Sequence, residues 1–360
     1  MSTPQRTLTI AVIGYGTIGP NHVAAIQTNP DVTLVAIVEP RHETASIAAE
    51  LSAAYYPGVS DLLSSPHKPD AAIICTPNQT HAAIATELSS AGVHVLIEKP
   101  FCHHVPTGQD LVRHLRQARE EKGVKALVGH HRRFNPYAVA TAETIASGSL
   151  GQIIAVNGLW MVQKSESYFE ARWRRDKSAG PVMINVVHDV DLLHLFLGPI
   201  VRVQTEKSVS RRGYAAEEGG AVIFKFKSGA IGTLLFCDNC PSPYGWEFGT
   251  GDQAQFPATG QDFYRVFGTE GTLSVPDLTR WSYDGVEPKN WNGKMTARKV
   301  ERREGVAFEL QLAHFVRVIR GEEDPRSTPE SGLAALMVCE AIKKSLETGT
   351  AVDIEPYELS

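Results

Sequence analysis

Residues 8–13 form a run of β-branched and apolar side chains that passes directly into Gly14-Tyr15-Gly16-Thr17-Ile18-Gly19 and then into a helical pattern over 21–27. Strand, glycine loop and helix in that order are what a dinucleotide fingerprint requires. Gly14 permits the tight turn, Gly16 lets the main chain approach a pyrophosphate, and Gly19 lets the helix pack close to the strand. Thr17 and Ile18 complete the loop and count with the glycines as cofactor contacts, because the helix amino terminus turns free N–H groups toward the phosphates. A glycine pattern alone is weak evidence, but the next strand, over 33–38, ends in Glu39. That acid lies 20 residues after Gly19 and 25 after Gly14. There a carboxylate accepts hydrogen bonds from the adenosine ribose and repels a 2′-phosphate. The expected cofactor is therefore NAD, with NADP left open by the nearby Arg41.

Further buried strands follow at 71–75, 93–97 and 124–128, each continuous rather than alternating, as in a parallel sheet covered on both faces. The polar turn Thr76-Pro77-Asn78 and the helix-start residue His81 follow the first of these, where they border the nicotinamide half of the cofactor. The second runs into Glu98-Lys99-Pro100. Proline biases Lys99 toward extended geometry, at the carboxyl end of a strand, which is where open α/β sheets bind ligands. A surface lysine at a strand end is the plain alternative. The third strand leads to His130-His131-Arg132-Arg133, a short basic run that suits the border of a cofactor and substrate site.

With 360 residues the chain exceeds the ~250–300 at which single cores stop growing. Two domains are expected: a doubly wound, parallel NAD(P)-binding Rossmann domain over 1–130, and an α/β substrate and oligomerisation domain over 131–360. A net charge of −5 gives no attraction to nucleic acid or anionic membrane. No apolar run approaches the ~20 residues of a membrane span, and the first nine residues lack a signal-peptide core. The expectation is a cytoplasmic enzyme of small molecules. Five scattered cysteines suit a reducing compartment. Cys237 and Cys240 have the spacing of half a zinc site, but no second pair accompanies them, so no metal is expected.

From Gln152 onward the strands lengthen, at 153–162, 201–208, 221–226, 230–237 and 264–267, and short turns join several of them, which predicts a large, open, mostly antiparallel sheet. Such a sheet needs a cover on each face, so a homodimer or homotetramer is expected. Between the first two of these strands lie Tyr168, Trp173, Arg174 and a helical pattern over 183–197. In that pattern His188 shares a face with Ile184, Asn185, Asp191 and Leu192. A core histidine paired with Asp191 and a proton-exchanging group are both compatible with that spacing. The long Gly- and Pro-rich segment 241–262 carries Tyr244, Trp246 and Phe248, which suit either a sugar face or a neighbouring subunit.

The glycine loop, the Thr76-Pro77-Asn78 turn with His81, Glu98-Lys99-Pro100, and the helix beginning His188-Asp189-Val190-Asp191 together resemble the glucose-fructose oxidoreductase, inositol dehydrogenase and rhizopine catabolism (Gfo/Idh/MocA) family over nearly the whole chain. Glu-Lys-Pro is the more specific of these motifs. The resemblance implies hydride transfer between the nicotinamide and a secondary hydroxyl of a sugar, sugar acid or cyclitol. By matching position, Lys99 would hydrogen-bond the reacting oxygen and His188 would exchange its proton; His131, Tyr168, Arg174 and Asn185 are further candidates for contacts to substrate hydroxyls or a carboxylate. One departure stands out: where many members carry an aspartate four residues before the histidine, this chain has Ile184. An imine or ketone reductase and a non-catalytic nucleotide sensor remain alternatives on the same fold.

Overall fold

The computed structural model describes residues 6–253 and 255–357. These form two compact units. The first runs to Phe134 and takes in Gly305–Leu336. The second comprises Asn135–Glu304 and Met337–Tyr357.

In the first unit, strands β1 (Leu8–Ile13), β2 (Val32–Val38), β3 (Ala54–Tyr56), β4 (Ala71–Ile74), β5 (His94–Glu98) and β6 (Ala126–Gly129) form a parallel sheet among the described residues. Their order is β3-β2-β1-β4-β5-β6, the doubly wound order whose reversal point lies between β1 and β4. All four residues of β4 are buried. The continuous apolar runs thus reflect strands covered on both faces. The helix Ala307–Ile319 supplies Leu312, Phe315 and Val316 to the core built by β1, β2 and β4. The chain thus returns to the first unit after Gly305. Phe315 is fully buried, and the apolar stripe of its helix has no other place to go.

The second unit is built on strands β7 (Ile153–Met161), β8 (Ile200–Lys207), β9 (Gly219–Phe226), β10 (Ile231–Cys237), β11 (Tyr264–Gly268), β12 (Thr272–Val275), β13 (Thr279–Ser282), β14 (Thr296–Lys299) and β15 (Val352–Asp353). The sheet order is β14-β13-β12-β11-β7-β10-β9-β8-β15. Only β7 and β10 pair in parallel among the described strands; the other pairs are antiparallel. β9 alternates between buried and exposed residues, so one face of the sheet lies on the core and the other is open. The helical stretch expected over 183–197 divides into a π-turn, Val182–Val186, and an α-helix, Val187–Leu197. Within 241–262, Trp246 begins a short helix, is 1 % exposed and donates its ring N–H to Asp252 at 2.6 Å. It is a core residue of this unit.

Candidate active site

Gly14 has φ +92°, and a Cβ there would sit 2.9 Å from the main chain of Cys75 and Thr76. The turn therefore needs glycine twice over, for its torsion and for the close approach of β4. A Cβ on Gly19 would fall 2.7 Å from the Gly14 carbonyl oxygen, which explains the third glycine by packing. Gly16 differs: nothing lies within 4 Å of a Cβ built there. Its missing side chain leaves open space beside an exposed loop, as a pyrophosphate needs. Ile18 caps the helix Gly19–Thr28 without any side-chain hydrogen bond, so no side-chain acceptor competes for the first-turn N–H groups.

Glu39 follows β2 and is buried. Its carboxylate accepts the Tyr15 N–H at 2.9 Å and the Arg41 Nε–H at 2.9 Å. The Arg41 hydrogen bond outweighs burial and, with the Tyr15 N–H, holds the carboxyl below its ordinary range. With the Arg41 main-chain N–H at 3.4 Å, three of the roughly four acceptor positions on an ionised carboxylate are occupied, and one stays available for a ribose hydroxyl. These residues fit NAD.

Lys99 leaves the carboxyl end of β5 half-buried, and the Lys99–Pro100 peptide bond is cis. Its main-chain N–H donates to Glu98 Oε2 at 3.1 Å, while Glu98 Oε1 lies 2.8 Å from His22 Nε2. The His22 and Glu98 side chains are 2 % and 5 % exposed. Burial alone would raise the Glu98 carboxyl, but chiefly the His22 hydrogen bond, with Lys99 nearby, holds it low. Gly129 on β6 makes room for this pair, since a Cβ there would meet Glu98 Oε1 at 2.8 Å. His131 is buried and stacked on Phe308 at 4.5 Å, and burial pushes its pKa down to about 3 despite Glu98. It stays neutral at physiological pH.

His81 opens the helix His81–Ser90 with its ring nitrogens 3.0 Å from the Pro100 carbonyl and 2.7 Å from that of Thr76. The ring thereby ties the turn after β4 to the turn after β5, and burial lowers its pKa. In the same turn the Thr80 hydroxyl reaches Thr76 Oγ1 and the Pro77 carbonyl, each at 2.8 Å, beside the half-buried Asn78.

In the second unit, Tyr168 and Arg174 lie on consecutive 3-10 turns, Glu166–Glu170 and Arg172–Arg175. The Arg174 Cζ stands 4.0 Å from the Tyr168 ring centroid, and Nη1 donates to the Tyr168 carbonyl at 2.7 Å. Asn185, in the π-turn, accepts a hydrogen bond from Lys164 Nζ at 3.0 Å. His188 is 5 % exposed, one residue into the helix that the π-turn feeds. Its neighbour Asp189 accepts the Tyr264 hydroxyl. A short π segment at this point is typical of functional sites.

Sequence reasoning missed two members of this architecture, His22 and Lys164. Their partners are 76 and 21 residues away, and neither sits in a recognisable motif. Among the described residues no group of three or more His, Cys, Asp or Glu is arranged to hold a metal, and no helix is long and apolar enough to cross a membrane.

Residues 8–130 match the family described as oxidoreductase, NAD-binding Rossmann fold, and residues 142–354 match its C-terminal alpha/beta domain. Among curated relatives, inositol 2-dehydrogenase of Rubrobacter xylanophilus is 26 % identical, covering 99 % of this chain and 96 % of that protein. Inositol 2-dehydrogenase of Mycolicibacterium smegmatis is 29 % identical, covering 98 % and 97 %. Among solved structures, the WlbA dehydrogenase from Bordetella pertussis, in complex with NADH and UDP-GlcNAcA, superimposes with a TM-score of 0.77 at 24 % identity, covering 97 % of this chain and 99 % of that one. Matched in both domains and in the same order, the chain belongs to the Gfo/Idh/MocA oxidoreductase family and carries its NAD-binding Rossmann fold.

Proposed function

We propose that the protein is an NAD-dependent dehydrogenase acting on a secondary hydroxyl of a sugar, sugar acid or cyclitol. Lys99 holds the reacting oxygen and His188 takes the hydroxyl proton. The observation that carries this reading is the position of Lys99. It emerges at the carboxyl end of β5, beside β4 and on the rim that bears the glycine loop, and ligands of doubly wound sheets bind outside that rim. Relatives named inositol 2-dehydrogenase support the choice of a hydroxyl substrate.

NAD, when bound, supplies the hydride acceptor. The chain's own residues do the rest. The open space at Gly16 and the uncapped helix N–H groups bind the phosphates, and Glu39 accepts from a ribose hydroxyl. Lys99 donates to the substrate oxygen and favours its anionic form. A ring nitrogen of His188 accepts the proton as hydride leaves. With Ile184 in the family's aspartate position, no carboxylate at that site assists His188.

Purified protein with NAD and a panel of inositols, aldoses and sugar acids tests the reading by NADH absorbance. Lys99→Ala and His188→Ala are each expected to lower kcat by roughly 10²–10⁴-fold, the usual share of acid–base groups, with NAD affinity retained. Turnover unchanged in both variants would refute the assignment, and tight NAD binding without turnover would favour a nucleotide sensor.

A second copy of the chain is proposed to cover the open face of the nine-stranded sheet. Ile223, Ile231, Leu235, Phe267 and Trp281 share that face by register and are 37–53 % exposed. Sedimentation equilibrium of the whole protein checks this, and a monomer at micromolar concentration counts against it.

A further inference from the structure

The second unit holds a small cleft in which charged side chains stand among aromatic and apolar ones. It is partly open to solvent, and six of its lining side chains are acids or bases: Lys164, Arg174, Arg212, Glu217, Glu218 and Asp238.

The three carboxylates are already engaged. Glu217 accepts the Val182 N–H at 2.9 Å and lies 3.4 Å from Lys343. Glu218 accepts the main-chain N–H groups of Arg211 and Arg212 and lies 3.8 Å from the Arg212 guanidinium. Against burial, these hydrogen bonds and those from Ser210 and Asn239 hold its carboxyl down at about 2. Asp238 pairs with Arg212 at 2.7 Å.

The cations are not equally engaged. Lys164 stands 3.5 Å from Asp238, longer than a normal charged hydrogen bond, and gives its close contact to the neutral Asn185. Arg174 has no carboxylate within ion-pair distance among the described residues. Its Nη1 serves a carbonyl, its plane lies over Tyr168, and its buried Nε has no acceptor. Counting Lys343, four cations face three carboxylates, and the surplus sits at Arg174 beside Lys164. Tyr168 holds both, with Lys164 Nζ 4.5 Å and Arg174 Cζ 4.0 Å from its ring centroid.

We infer that this cleft is a carboxylate subsite, in which Arg174 and Lys164 bind the acid group of a polyhydroxy acid. The substrate class is then a sugar acid rather than a neutral cyclitol or aldose. The inference rests on the dehydrogenase reading only for the position of the reacting hydroxyl. Ile184 lines the cleft, and His188 follows four residues later, about one turn on, where the π-turn passes into the helix. A short sugar acid spans that distance. An isoleucine at 184 also keeps a negative charge away from the bound carboxylate.

The test uses the full-length protein with saturating NAD. Initial rates of NADH formation and calorimetric binding are measured for D-glucuronate and D-gluconate, for glucose and myo-inositol as neutral counterparts, and for glucose 6-phosphate as the other anion. Losing charge-assisted hydrogen bonds to one anion is expected to lower affinity for the acids by about 10- to 150-fold in Arg174→Gln and Lys164→Met. Neutral compounds should change less than about threefold by the same arithmetic. Arg174→Lys should recover part of the acid binding, and Ile184→Asp should weaken it. Circular dichroism melts of each variant confirm that the unit is folded.

Acid binding that Arg174→Gln removes, with no NADH formed in any arm, supports the subsite and counts against the dehydrogenase. Turnover of the acids that Arg174→Gln leaves unchanged supports the dehydrogenase and overturns the subsite. Tighter binding of the phosphate than of either acid overturns the carboxylate assignment, and no binding in any arm overturns both.

Discussion

Replacing His22 by leucine keeps most of the volume packed against Phe308, whose ring meets His22 edge-on at 5.1 Å, but removes the partner of a buried carboxylate. At the observed separation of 2.8 Å, the gross attraction for a charged ring would be about 6 kcal/mol at an effective dielectric constant of 20, and a neutral ring N–H still satisfies one carboxylate oxygen. Desolvation offsets much of this. The quantity an experiment reads is the loss on stranding Glu98 with only the Lys99 N–H, roughly 3–5 kcal/mol for a buried pair. The pH dependence gives the sharper test. In the native protein the Glu98 carboxyl lies below its unfolded value. Its contribution is therefore full above that unfolded value, about 4.3, and is lost as pH falls through the lower folded one. In His22→Leu the upward push of burial prevails, the folded value rises above the unfolded one, and acid relieves the penalty. The gap between the two proteins should be widest near pH 8 and should narrow below about pH 5.

All five tryptophans, at 160, 173, 246, 281 and 291, lie in the second unit, so their fluorescence does not follow this one. Hydrogen exchange of peptides spanning β5, with urea titrations followed by circular dichroism, does. The double variant His22→Leu, Glu98→Gln should recover most of the loss, because a neutral amide is far less costly to bury than an unpaired charge. A gap under about 1 kcal/mol at pH 8, too small for a stranded buried charge, or a gap that widens in acid, would refute the reasoning.

The glycines of the loop should separate by cause. Gly16→Val leaves thermal stability within a degree or two of the parent while weakening NAD by at least about tenfold in calorimetry, because the space it fills is open. Gly14→Ala, by contrast, lowers the melting temperature through its φ of +92° and its close approach to Cys75, a strain of roughly 1–3 kcal/mol. Glu39→Gln removes the charge that opposes a 2′-phosphate and frees Arg41 from its salt bridge. The ratio of NAD to NADP affinity should fall about tenfold or more, an unchanged ratio showing that Glu39 does not read the ribose.

The sequence made the nucleotide half legible because its determinants are local. The strand, the glycine loop and the acid at Glu39 fall within 32 residues of one another, and each glycine has a short-range steric reason. Lys99 was visible for the same reason, through the proline after it. The supports of Lys99 were not. His22 reaches Glu98 across 76 residues, and Phe308 reaches His131 across more than twice that distance, so no periodicity links them. In the second unit the strands were readable from alternation, but the parallel pairing of β7 with β10 was not, since alternation is indifferent to direction. Nor was the π-turn at 182–186, because Val-Met-Ile-Asn-Val reads equally well as one turn of an α-helix. Lys164 carried no signal at all: its role depends on Asn185, Tyr168 and Asp238 meeting around it.

The return of Gly305–Leu336 to the first unit sets the order of events during biosynthesis. When residue 134 leaves the ribosome, every strand of the parallel sheet has been made, yet the layer that Leu312, Phe315 and Val316 provide has not. At ~5–20 residues per second the missing helix follows roughly ten to forty seconds later. Through that interval the apolar face over β1 and β2 stays wet, and the nascent half-protein is a natural client for a chaperone that shields exposed sheet. A fragment ending at residue 134 should therefore be insoluble by itself, and adding 305–336 through a short linker should rescue it without any of the second unit.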